Sequence, residues 1–199
     1  PKDPHGLNPK EITIADVLKD RGYATGCFGK WHLGDQPEFL PTNHGFDSYV
    51  GIPYSNDMWP PMPGSSRWKN GVCPLPVLRN DKVVDTVDNM DDQADLCKLF
   101  TDEAVAFIRQ NKDKPFFVYL PHAFVHNPRK ARKEFMERAD APTDLDERKM
   151  IGNNKYAIYK RTRAQIEEVD WSVGQILSVL RQLGLAENTL VLFTSDNGG

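Results

Sequence analysis

Several features are scarce or missing in this chain of 199 residues, and each absence removes a class of protein. No apolar run approaches the ~20 residues that cross a bilayer, so no transmembrane segment is expected. Neither sign of charge dominates: 25 Lys and Arg stand against 28 Asp and Glu, for a net charge of −3. A nucleic-acid partner, which needs a strong basic footprint, is therefore not expected. Three cysteines, Cys27, Cys73 and Cys97, form no CxxC pair and leave one over, so there is no disulfide framework to read. No HExxH is present, which removes a zincin-type site. No Asn-x-Ser/Thr acceptor occurs, which leans away from a heavily glycosylated eukaryotic secretory protein. There is no internal repeat. The chain opens on Pro1-Lys2-Asp3-Pro4 without a signal-like segment, as a processed or partial chain would.

What remains has an ordinary globular composition, 39% hydrophobic and 27% charged, and enough residues for one domain with a sizeable core. Its charge is unevenly spread. Asp81 to Glu103 holds eight acids and two bases, and Arg129 to Arg163 holds eleven bases and six acids. The basic stretch reads either as a solvated face or as a rim that attracts an anion. Apolar spacing predicts helices over about Thr13–Arg21, Asp92–Asn111 and Tyr156–Leu183, with a short polar one over Arg129–Ala139. Buried strands are predicted at Tyr23–Phe28, Phe116–Leu120 and Leu190–Thr194, and a small hairpin around Asn80-Asp81. Residues 30 to 75, rich in Pro, Gly, Asn and Trp, read as a long functional loop or insertion.

Helix and strand alternate, so the fold class is α/β with a mostly parallel sheet flanked by helices. Ligands in such sheets bind beyond the carboxyl ends of the strands. Each polar cluster falls at such an end: Lys30 and His32, then His122 and His126, then Asp196 and Asn197. Asp196-Asn197 offers hard oxygen donors for Ca²⁺ or Mg²⁺, and is equally a turn former. His122 and His126 lie between Pro121 and Pro128, which favours a loop over a helical zinc pair. Lys30 and His32, two apart in an extended segment, would project to one side and suit an anion whose leaving oxygen needs a proton. A surface lysine beside a capping histidine fits the same spacing. Cys27, inside an apolar strand, reads as a small core residue and not a nucleophile, while Trp59 and Trp68 read as local packing or as a substrate wall.

Taken in order, GYATGCFGKWHLG (residues 22–34), HGFDSYVGIPYSND (44–57), FFVYLPHAFVHNP (116–128), EEVDWSVGQIL and NTLVLFTSDNGG resemble the type I sulfatases, of the arylsulfatase A kind, in the alkaline phosphatase superfamily. The resemblance implies an alkaline phosphatase-like fold, incomplete here, with residues 1–199 forming part of a single sulfatase catalytic domain. It implies sulfate monoester hydrolysis by a formylglycine nucleophile, with a divalent cation, Ca²⁺ by preference and Mg²⁺ as the second choice. Asp196 and Asn197 would be metal ligands. Lys30 and His32 would contact nucleophile and sulfate, His126 would contact sulfate and assist the leaving group, and Ser55 would contact sulfate. The C/S-x-P-S-R motif that supplies formylglycine does not occur, and Pro63-Gly64-Ser65-Ser66-Arg67 fails the pattern. The nucleophile is expected upstream, so this segment alone is expected to be inactive.

The same resemblance implies a small-molecule or glycan sulfate ester as substrate and a formylglycine-generating maturation enzyme as partner. The expected location is exported, periplasmic or extracellular ahead of lysosomal. Two alternatives stay open: a phosphodiesterase or phosphonate monoester hydrolase of the same superfamily, and a non-catalytic binding protein of the same fold.

Overall fold

In a computed structural model of the protein, residues 3–58, 75–143 and 155–196 are described. The first helix, α1 (Ile14–Lys19), starts where Thr13 and Asp16 cap each other: the Asp16 N–H donates to Thr13 Oγ1 at 3.2 Å and the Thr13 N–H to Asp16 Oδ2 at 2.9 Å. Gly22, with a φ of 82°, turns the chain into β1 (Ala24–Lys30). Strands β2 (Ser48–Ile52) and β5 (Phe116–Tyr119) pair parallel on either side of β1. Beyond β2, the antiparallel hairpin β3 (Leu75–Arg79) and β4 (Lys82–Val87) completes the order β4-β3-β2-β1-β5. The sheet is thus mixed, parallel around β1 and antiparallel on the β2–β3–β4 side. The hairpin turns at Asn80-Asp81 as expected, with Asn80 left-handed at φ 56°.

Alternation along β1 sends its side chains to two cores. Phe28 faces α2 (Met90–Gln110) and joins Val50, Ile52, Leu75, Leu96, Phe100, Ala104 and Phe107, its ring 5.5 Å from that of Phe107. Cys27 faces the other way, among Ala15, Trp31, Leu40, Phe46 and Tyr49. It is fully buried and free, and burial pushes its thiol pKa well up, as a core residue requires. The longest helix, α4 (Lys155–Gln182), lies along α2, with Val179, Leu180 and Ile176 packed on Ile108 and on Phe116 and Val118 of β5. A short helix, α3 (Lys133–Arg138), packs Phe135, Met136 and Ala139 against Ala164 of α4.

Two expectations change, and one choice left open is narrowed. First, β2 runs through the middle of the expected 30–75 loop. It escapes a sequence reading because all but its first residue is buried, erasing alternation, and because Gly51 looks like a breaker. Gly51 is there for space: a Cβ on it would come 1.8 Å from the Gly29 carbonyl oxygen. Second, Leu190–Thr194 forms no strand. A strand needs a paired neighbour, and among the described residues none bonds to it, leaving Leu190, Leu192 and Phe193 between 74% and 84% exposed. In the described part of the basic stretch, most cations have acidic partners. Lys130 meets Asp91, Arg132 meets Glu134 and Glu168, Arg138 and Arg163 meet Glu167, and Lys160 meets Asp140. This favours the solvated face over the anion-attracting rim. Trp59, Trp68, Cys73 and the Pro63–Arg67 string lie outside the described residues.

Candidate active site

The carboxyl end of β1 is stitched to both neighbours. The Lys30 N–H donates to Pro121 O (2.8 Å) beyond β5, while Trp31 N–H reaches Ile52 O (2.9 Å) and His32 N–H reaches Pro53 O (3.1 Å) beyond β2. Gly29 makes the first contact possible, because a Cβ there would lie 2.1 Å from Pro121 O. Trp31 then drives inward, its Nε1–H donating to Phe39 O at 2.7 Å and its ring edge-on to Phe46. That anchor fixes the two polar residues flanking it. Lys30 ends the strand, and His32 adopts a left-handed φ of 60°, a conformation costing a non-glycine residue about 1–2 kcal/mol. The segment is therefore not extended at His32, and the two-residue alternation expected of Lys30 and His32 does not apply. They are neighbours all the same. The His32 pKa is lowered first by burial and next by the Lys30 charge.

Two further groups act on His32. Asp57 pulls its pKa back up, and His126 lowers it. Three segments from different strand ends thus lie within electrostatic reach of one another at His32: Lys30–His32 after β1, Asp57 after β2 and His126 after β5. Asp57 sits in a single 3-10 turn, Asn56–Met58. Ahead of it, Ser55 is 5% exposed and its Oγ is buried without a hydrogen-bond partner. Asn56 is fully buried with both amide atoms unpartnered. Buried polar atoms are normally satisfied, so a pair of orphans beside the cluster is what a site prepared for a polar ligand presents. Sequence reading missed Asn56 and Asp57 as candidates, although both stand in the quoted Ser55-Asn56-Asp57 string. Nothing local to that string shows that Asp57 comes within electrostatic reach of His32.

His126 is exposed, and its Nδ1–H donates to the carbonyl of Asn127 at 3.0 Å. A carbonyl only accepts, so Nδ1 keeps its hydrogen and Nε2 is the atom left for a ligand. The expected loop between Pro121 and Pro128 is found, closed by His126 N–H to Ala123 O at 3.1 Å. Asp196 comes to the carboxyl end of β5, where its charge helps raise the Tyr119 pKa, after burial and Cys27. Asn197 lies outside the described residues. Among the described residues no three His, Cys, Asp or Glu side chains cluster as a complete metal site. Asp196 alone contributes a hard oxygen donor of the kind Ca²⁺ and Mg²⁺ take.

Comparison with known proteins follows the same lines. The model of a family described as Sulfatase matches residues 2–199. The chain belongs to the sulfatase family. It is 34% identical over 209 residues to human arylsulfatase A, covering 100% of this chain and 38% of that protein. It is 34% identical to N-acetylgalactosamine-6-sulfatase of Rattus norvegicus, covering 97% of this chain and 34% of the relative. The chain thus spans little more than a third of these relatives' length. Among solved structures, the PsFucS1 sulfatase from Pseudoalteromonas sp. superimposes with a TM-score of 0.70 at 22% identity, over 94% of this chain and 38% of that one. Ps i-CgsB, solved in complex with a neocarrahexaose, does so with a TM-score of 0.66 at 26% identity, over 92% of this chain and 39% of that one. The α/β sulfatase fold is therefore this chain's fold.

Proposed function

We propose that the protein of which these residues are part hydrolyses sulfate monoesters, and that Lys30, His32, Ser55 and His126 are its contribution to the sulfate site. The observation that carries this reading is the convergence of Lys30 and His32, after β1, with His126, after the neighbouring parallel strand β5, in a chain of the sulfatase family. Lys30 supplies a compact positive charge for the sulfate oxygens. His32, held neutral by burial and by Lys30, donates a hydrogen bond to the anion without needing a proton from solution. Ser55 offers an unpartnered hydroxyl beside it. His126, with Nδ1–H held by Asn127 O, takes up a second proton on Nε2 and, as the imidazolium, delivers it to the ester oxygen as the S–O bond breaks, returning to the neutral ring.

Asp196 and Asn197 are the ligands this chain would give to a divalent cation, with Ca²⁺ preferred. Bound there, the cation would supply positive charge to a sulfate oxygen. The nucleophile, a formylglycine made by a maturation enzyme, is assigned to the longer protein, since the 199 residues hold no C/S-x-P-S-R. An exported location suits the reading, and no described helix is long and apolar enough to cross a membrane. The test is turnover of 4-nitrophenyl sulfate by the full-length protein. Replacing His126 with Ala should lower kcat by roughly 10²- to 10⁴-fold. Hydrolysis of phosphate diesters in preference to sulfate esters, or an unimpaired His126→Ala, would overturn it.

A further inference from the structure

The segment between β5 and α3 carries two histidines, and the chemistry above uses only the second. His122 turns instead into the seam between α2 and α4. Its Nε2 lies 3.1 Å from Ser172 Oγ on α4, and its Nδ1 3.7 Å from Cys97 Sγ on α2. Ser172 Oγ is in turn 2.6 Å from Thr101 Oγ1, which is 2.7 Å from the Cys97 carbonyl. Thr101 and Ser172 are fully buried.

The direction of this chain of bonds can be read from its far end. A carbonyl only accepts, so Thr101 donates its one hydroxyl proton to Cys97 O. The Thr101 oxygen must then accept from Ser172, which uses the only proton Ser172 has. Ser172 Oγ is left to accept from His122, so the hydrogen sits on Nε2, and Nδ1 is the bare nitrogen facing the Cys97 thiol. A second proton, on Nδ1, would meet no good acceptor. The Cys97 sulfur is a weak one and also approaches the backbone oxygen of Glu168 at 3.8 Å, while the Glu168 carboxylate is taken by Arg132.

We infer that His122 is a positioning residue: locked as one tautomer by Ser172 and Thr101, it pins the loop that carries His126 to the α2–α4 seam. The inference rests on the reading of His126 as the proton donor to the leaving group. The loop is held at its root by Pro121, whose carbonyl takes the Lys30 N–H. His122 is the next residue, and the turn from Ala123 to His126 follows directly, so a shift of the His122 ring moves His126 against Lys30 and His32. Pure packing would not require a fixed tautomer; a buried apolar side chain would fill the space.

The test uses the full-length protein and two esters, 4-nitrophenyl sulfate, whose phenol leaves easily, and an unactivated alkyl sulfate. Misplacing a proton donor harms the poor leaving group most. His122→Leu should lower kcat on the alkyl sulfate by roughly 10- to 100-fold, and on 4-nitrophenyl sulfate by much less, with KM little changed. His122→Gln, which keeps an N–H donor at the place of Nε2, should recover most of the loss, as confirmed on variants with wild-type melting curves. Equal losses on both esters, no loss, or no advantage of Gln over Leu would overturn the inference. Histidine ring ¹⁵N shifts give a second readout: His122 should carry hydrogen on Nε2 alone at neutral pH, and the opposite tautomer overturns the inference. A wild type inert on every sulfate ester defeats the functional reading, and the ring shifts then decide on the His122 lock by themselves.

Discussion

Burial pushes the His122 pKa from 6.5 down to about 4, which makes this residue one source of acid sensitivity in the fold. Above pH 6.5 neither the folded nor the unfolded chain binds the proton. Between 6.5 and 4 only the unfolded chain does. Stability is therefore complete above pH 6.5 and declines as pH falls toward 4, by about 3 kcal/mol for this one group. The expected outcome is a melting temperature of the full-length protein that drops through that window, with a shallower drop in His122→Gln. His44 and His32, also lowered by burial, add to the wild-type slope, so the difference between the two proteins is the quantity to measure. A variant with an unchanged slope would remove His122 from the account. The sequence shows His122 on a loop between prolines but not where its ring points, because Thr101 and Ser172 stand 71 residues apart. Lys30, His32 and His126 were legible because each follows a short apolar run, and strand ends are where an α/β sheet exposes polar groups. Asp57 was not, since a 3-10 turn leaves no periodic trace.

Among the elements, the two long helices were the most legible, running from Met90 to Gln110 and from Lys155 to Gln182 within a residue or two of their expected limits. Long apolar stripes survive tertiary context; five-residue strands such as β2 do not announce themselves, and Leu190–Thr194 shows that an apolar run without a partner stays unpaired. What the stripe cannot show is the polar tie across the helices. Glu168 of α4 is fully buried, and its carboxylate accepts from the Arg132 backbone N–H at 2.9 Å and from Arg132 Nε at 2.7 Å. Burial raises its pKa, while the Arg132 bonds pull it back. The Arg132 guanidinium also stacks 4.3 Å from the Trp171 ring. The entrance to α3 is thereby clamped to α4 beside the histidine loop. Arg132→Ala would strand a buried carboxylate and should cost about 3–5 kcal/mol in denaturant unfolding. Glu168→Gln, which keeps an acceptor for the backbone N–H, should cost clearly less. Equal losses would mean that the cost comes from losing the charge pair itself, and not from stranding the Glu168 carboxylate.

At the scale of the whole molecule, catalysis by these residues is a question of completeness. Lys30, His32 and His126 gather at one end of a five-stranded sheet, and Asp196 lies within electrostatic reach of Tyr119, yet the hydrolysis proposed above also calls for a nucleophile and further ligands for its cation. The 199 residues hold no C/S-x-P-S-R, and the described ones no metal-binding cluster of three. Human arylsulfatase A devotes only 38% of its length to the matching part. A lysine and two histidines without a nucleophile can bind an anion but cannot open the S–O bond by covalent catalysis. The isolated 199 residues should therefore turn over no 4-nitrophenyl sulfate with or without added Ca²⁺, while a longer chain bearing the nucleophile should do so and lose the activity on chelation. Turnover by the isolated stretch would place a nucleophile inside it, and would make the search for one among its own serines and cysteines the next step.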